Sequence, residues 1–127
     1  MTVFAAGCFN RVHEAHLRML RQARSLGDRL VLVLANDAHN RKSNAVPSAV
    51  RLKRLQDAGV ADKVVVGAPD SFAASLRREK PQILVLGYDQ RLPDEQTARA
   101  VREMGVEVVV MPWLPGKEQV QDPPCGL

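Results

Sequence analysis

The residues of this chain best suited to chemistry gather in one short stretch, Gly7-Cys8-Phe9-Asn10 followed by His13-Glu14-Ala15-His16. His13 and His16 stand three residues apart, so on a helix their imidazoles share a face and both can donate to one anion. The stretch follows an apolar run that ends in Gly7. A helix starting just after such a turn presents unpaired N–H groups and the positive end of its dipole, which favours phosphate. A lone histidine here reads as a cap or a surface residue. A pair of them at this point reads as a site.

Such a pair needs a frame, and the rest of the chain supplies one. Short apolar runs recur with helical segments between them: Val3-Phe4-Ala5-Ala6, Leu30 to Leu34, Val64-Val65-Val66, Ile83 to Leu86 and Val106 to Met111. Continuous apolar runs are what strands buried on both faces require, and their alternation with helices marks a parallel sheet. Leu17, Leu20, Ala23 and Leu26 predict a helix from about His16 to Leu26, stopped by Gly27. Ser48 is expected to cap a second helix to Ala58, ended by Gly59. A third runs from Phe72 to Arg78, short of Pro81, and a fourth from near Asp94 to Gly105. With right-handed crossovers this predicts an α/β fold, a single Rossmann-like domain over residues 1–111. Its five-stranded parallel sheet has order 3-2-1-4-5 and helices on both faces. Residues 112–127 hold four of the eight prolines and no periodicity, and read as an irregular tail.

Composition narrows the function classes. The 127 residues carry 18 Lys+Arg against 14 Asp+Glu, a formal charge of +4 that favours anionic partners. The aromatic share is only 4%, with Phe4, Phe9, Phe72, Tyr88 and Trp113 scattered singly. That is a poor base-stacking platform, so a phosphate-bearing small molecule is favoured over nucleic acid. Cys8 and Cys125 form no close pair, which suggests neither a disulfide framework nor a zinc site. No leader and no run of about 18 apolar residues is present, so a cytoplasmic protein that keeps off the membrane is expected.

In an open parallel sheet, ligands bind at the carboxyl ends of the strands, where the strand order reverses. Those ends are predicted to carry Gly7-Cys8-Phe9-Asn10, Asn36-Asp37, Gly67-Ala68-Pro69-Asp70, Gly87-Tyr88-Asp89-Gln90 and Pro112-Trp113. Arg18, Arg21 and Arg24 recur along the first helix and read as its solvated face.

Gly7-Cys8-Phe9-Asn10 with His13-Glu14-Ala15-His16 resembles the "G-x-F-D … H-x-G-H" signature of the cytidylyltransferase-like nucleotidyltransferases. That superfamily includes glycerol-3-phosphate cytidylyltransferase, phosphopantetheine adenylyltransferase and the archaeal-type FAD synthetases. The resemblance continues through Leu26-Gly27-Asp28, Asn36-Asp37, Arg51 and Ile83 to Gln90. "LGYDQ" and the chain's size are most similar to the FAD synthetases. Asn10 and Ala15 stand where the signature has aspartate and glycine, and no serine or threonine follows Thr97, where family members carry a Ser/Thr-rich phosphate motif.

The resemblance implies transfer of AMP or CMP from a nucleoside triphosphate, ATP or CTP, to the phosphate of a small acceptor such as FMN or glycerol 3-phosphate. Pyrophosphate is released, and Mg2+ is the implied cofactor. It implies that His13 and His16 are catalytic donors to the triphosphate, and that Gly7, Cys8, Phe9, Asn10, Gly87 and Asp89 bind the nucleotide. Arg41, Lys42 and Lys117 are candidates for the phosphates. No protein-held metal is expected, and a homodimer is allowed because relatives often form one. The alternative is a non-catalytic nucleotide-binding protein of the same fold with a degenerate site.

Overall fold

In the computed structural model the strands are β1 (Thr2–Gly7), β2 (Arg29–Leu34), β3 (Lys63–Val66), β4 (Ile83–Leu86) and β5 (Glu107–Val110). The helices are α1 (Glu14–Arg24), α2 (Ser48–Ala58), α3 (Phe72–Glu79) and α4 (Glu95–Met104), with a 3₁₀ turn at Asp37–His39. The structure describes residues 1–7, 9, 14–39, 45–68, 71–86, 92 and 94–111. All five strands among the described residues are parallel, in the order β3-β2-β1-β4-β5, as the alternation of apolar runs and helices with right-handed crossovers predicts.

The central strand explains the two-faced core. Successive side chains of a strand point to opposite faces. Val3 and Ala5 of β1 therefore join Leu20 and Ala23 of α1 and Leu55 of α2 on one face. Phe4 and Ala6 join Phe72 and Leu76 of α3 and Ala100 of α4 on the other. Phe4 and Phe72 meet edge to face, with ring centroids 5.5 Å apart. Thr2 through Gly7 pair with Arg29 through Leu34 of β2, while Val3, Phe4 and Ala5 pair with Ile83, Leu84 and Val85 of β4. This register brings the carboxyl ends of β1 and β2 level, and the Ala35 amide extends the ladder by donating to the Gly7 carbonyl at 2.9 Å.

Several element boundaries differ from the sequence expectation, each for a physical reason. α1 covers Glu14–Arg24 rather than His16 to Leu26. It gains an acidic residue in its first turn, favourable at the positive end of the dipole, and Leu26 is 38% exposed. Gly27 does not terminate α1 by adopting a left-handed conformation. It lets the chain pass against β1: a Cβ there would lie 2.6 Å from the Met1 carbonyl oxygen. Ser48 is the first residue of α2 rather than its cap. Pro47 holds the cap position without a side-chain bond, and Ser48 donates instead to Asp37. α3 has a cap that the sequence reading passed over, Ser71, whose hydroxyl accepts from the Ala74 amide. It also runs one residue past Arg78, to Glu79. In α4, Asp94 accepts from the Thr97 amide and hydroxyl, both at 2.8 Å. β5 is shorter than the run Val106 to Met111 and is not buried on both faces: as an edge strand it leaves Val108 and Val110 37% and 57% exposed.

Candidate active site

The helix starts gather at the carboxyl edge of the sheet because each right-handed crossover leaves a strand there and enters a helix. Gly7, the last residue of β1, continues the Val3 and Ala5 row toward the α1 and α2 face. The chain then turns at Phe9, which holds the left-handed conformation at φ 53°. That conformation is rare for a bulky side chain and persists where the surroundings over-determine it.

The surroundings are visible. The Phe9 ring folds back over Gly7 so closely that a Cβ on Gly7 would sit 2.7 Å from it. The ring is buried within the core on the α1 and α2 face, and its outer side meets His16. The two rings pack edge to face with centroids 5.7 Å apart. His16 is half-buried and its Nδ1 atom is inaccessible to solvent. Three of the sequence-predicted site residues, Gly7, Phe9 and His16, are thus brought together at the end of the central strand. Cys8, Asn10, His13, Arg41, Lys42, Gly87, Asp89 and Lys117 lie outside the described residues.

Beside this point, polar side chains tie the neighbouring strand ends together. Asn36, just past β2, donates to the Gly67 carbonyl beyond β3 at 3.2 Å and accepts from the Ala38 amide at 3.0 Å. The Ser75 hydroxyl of α3, almost fully buried, accepts from the Ala68 amide at 2.8 Å. Ala6, Ala35, Asn36, Gly67, Phe72 and Ser75 line a small crevice on the α3 side of the sheet, with about 20 Å³ of room, roughly enough for one water molecule.

Asp37 accepts from the Ser48 amide at 2.9 Å, the Ser48 hydroxyl at 3.0 Å and the Arg51 guanidinium at 2.9 Å. Burial pushes its carboxyl up, but the hydrogen bonds from Ser48 and Arg51 and the Arg51 charge outweigh this and hold it below the usual carboxylate range. Arg51, noted in the sequence only as a point of resemblance, is fully buried. Ser75 was not singled out at all, although a serine beside Leu76 on the buried stripe of α3 was a detectable signal. Arg18, Arg21 and Arg24 are exposed, as expected of a solvated face. Arg21 pairs with Glu14, and Arg24 forms two bonds to Asp62 at 3.1 Å. Among the described residues no group of three or more His, Cys, Asp or Glu side chains could hold a metal ion. Among them, too, no helix is long and apolar enough to cross a membrane.

Comparison with known proteins supplies the family. The chain is 34% identical over 107 residues to the FAD synthase of Thermoplasma acidophilum, covering 82% of this chain and 75% of that protein. It is 34% identical over 111 residues to the FAD synthase of Methanococcoides burtonii, covering 86% and 78%. A crystal structure described as the lipopolysaccharide core biosynthesis protein from Thermoplasma volcanium matches with a TM-score of 0.78 at 29% identity, over 90% of this chain and 98% of that one. Pantothenate synthetase from Thermus thermophilus shares the fold alone, with a TM-score of 0.58 at 18% identity over 92% of this chain and 57% of that one. The cytidylyltransferase-like family model matches residues 4–123. With the strand order, the glycine-to-aromatic turn and the half-buried histidine at its side, this match places the chain in the cytidylyltransferase-like family, as a nucleotidyltransferase.

Proposed function

We propose that the protein transfers the adenylyl group of ATP to the phosphate of FMN, forming FAD and releasing pyrophosphate. A phosphate oxygen of FMN attacks the α-phosphorus of ATP, the new P–O bond forms, and the bond from the α-phosphorus to the bridging oxygen breaks. The observation that carries the reading is the Gly7, Phe9 and His16 arrangement at the end of the central strand. The likeness to two FAD synthases over more than four-fifths of the chain supports FMN as the acceptor.

Negative charge grows on the α-phosphate oxygens and on the departing pyrophosphate, so catalysis here is positioning and charge stabilisation. The Nδ1 side of His16 is buried, which leaves Nε2 as the atom assigned to the phosphate. His13, three residues earlier in the sequence, is assigned the same task. Gly7, Cys8, Phe9, Asn10, Gly87 and Asp89 are assigned to binding the nucleotide, and Arg41, Lys42 and Lys117 to its phosphates. Magnesium would enter with the triphosphate as part of the substrate and would neutralise part of its charge. The reaction is placed in the cytoplasm.

A second reading, nucleotide binding without turnover, is favoured by Asn10, which replaces the carboxylate of the family signature. The test is pyrophosphate release with magnesium, crossing ATP and CTP with FMN, glycerol 3-phosphate and phosphopantetheine. Release with ATP and FMN alone is expected. Nucleotide-dependent stabilisation without release from any pair would select the second reading.

A further inference from the structure

Arg51 is the largest fully buried side chain described in this protein, although its neighbours on α2, Lys53 and Arg54, are exposed. A guanidinium out of water needs acceptors. Its Nε donates to the Val46 carbonyl at 2.7 Å and a terminal nitrogen donates to Asp37 at 2.9 Å. Asp37 in turn receives both the amide and the hydroxyl of Ser48. One carboxylate and one guanidinium therefore fasten the carboxyl end of β2 to the first turn of α2. Between these two elements the sequence has Arg41 and Lys42, and no carboxylate from residue 38 to residue 47.

The device is costly for what a helix start needs. An ordinary N-cap side chain would satisfy the free amides at the start of α2. Here Pro47 makes no such bond, and the Ser48 amide is taken by a residue eleven positions earlier. Arg51 is out of water while the Asp37 side chain is 57% exposed, so the cost of desolvating the guanidinium offsets much of an attraction that solvent already screens, and the pair contributes little net stability. Its product is a fixed geometry. A second set of bonds holds the β2 end from the other side: Asn36 bonds the Gly67 carbonyl and the Ala38 amide, and Ser75 holds the Ala68 amide.

We infer that Asp37 and Arg51 are positioning residues that set the affinity of this site for its phosphate-bearing nucleoside triphosphate, acting through the spacing of the β2 end and the α2 start. The inference rests on the adenylyl-transfer reading above. Lysine at position 51 keeps the charge but cannot span both the Val46 carbonyl and Asp37, since an ammonium is a compact point donor. Asparagine at position 37 keeps the shape and loses the charge.

The experiment is steady-state kinetics of the full chain and of Arg51→Lys and Asp37→Asn with magnesium, ATP and FMN, alongside thermal unfolding with and without ATP. The expected result is a KM for ATP raised about tenfold, the loss of a charge-assisted hydrogen bond, with kcat within about twofold of the parent. Asp37→Asn is the gentler change and keeps the inference testable if Arg51→Lys does not fold. An unchanged KM for ATP in a folded variant, with only a lower Tm, makes the pair purely structural and overturns the inference while adenylyl transfer stands. If the parent shows no turnover but ATP raises its Tm, a need for about tenfold more ATP in Asp37→Asn supports the inference, and an equal response overturns it. If the parent shows neither turnover nor stabilisation by ATP, both readings fall together.

Discussion

The rings of Phe9 and His16 meet edge to face, 5.7 Å between centroids and 75° between planes. Phe9 reaches that position through a left-handed backbone and by lying directly over Gly7, so three residues depend on one another at the mouth of β1. Substituting Gly7→Ala puts a methyl where the Phe9 ring already is. Overpacking of this kind costs about 1–3 kcal/mol, and the ring can yield only by moving away from its place beside His16. Urea denaturation should show that loss, and turnover should fall further than stability does. A fully active, fully stable Gly7→Ala protein would contradict the arrangement.

His16→Ala removes the proposed phosphate donor but little of the core, since the side chain is half-buried. Turnover should fall by about two to three orders of magnitude, the usual cost of one donor to developing charge in a water-poor site. The far-ultraviolet circular dichroism and Tm should stay close to those of the parent. Normal turnover in this variant would remove His16 from the mechanism.

Asp62 sits at the opposite end of the sheet from the proposed site, holding Arg24 through two bonds and accepting from the Leu30 amide at 2.8 Å. The Arg24 and Leu30 hydrogen bonds outweigh partial desolvation and lower its pKa. A carboxylate with a depressed folded-state pKa contributes stability above its unfolded value of about 3.9, and that contribution is lost as pH falls through the folded value. Stability should therefore fall as pH drops below about 4, and by less in Asp62→Asn. The pair is 53% and 31% exposed, so solvent screening keeps the difference small but in this direction. Equal acid sensitivity in parent and variant would show that Asp62 carries none of it.

How much of this was legible in the sequence follows from the range of the forces involved. The strands were readable because a strand buried on both faces must be continuously apolar, as Leu30 to Leu34 and Ile83 to Leu86 are. The same rule misled at the edge: β5 has the composition of a central strand, Glu107-Val108-Val109-Val110, and nothing in those letters says that it has a neighbour on one side only. The ends of α4 were legible near Asp94 and at Gly105, whose bonding partners lie within a few residues. It was not legible for Ser48, because its partner Asp37 is brought to it by the loop between them. Gly27 looked like a helix stop because glycine usually is one there, whereas its requirement is the passing Met1 backbone. At the site, spacing and family likeness pointed to Gly7, Phe9 and His16. Arg51 entered only as a point of family likeness, and the bonds that hold it to Val46 and Asp37, like that between Ser75 and Ala68, join segments whose meeting spacing alone does not show.

The central claim is that this chain makes FAD, and chromatographic detection of FAD from FMN, ATP and magnesium tests it most directly. The account predicts FAD and pyrophosphate in equal amounts from the parent protein, and neither above background from His16→Ala at matched concentration and confirmed folding. No FAD from the parent, or FAD formed equally well by His16→Ala, would contradict it.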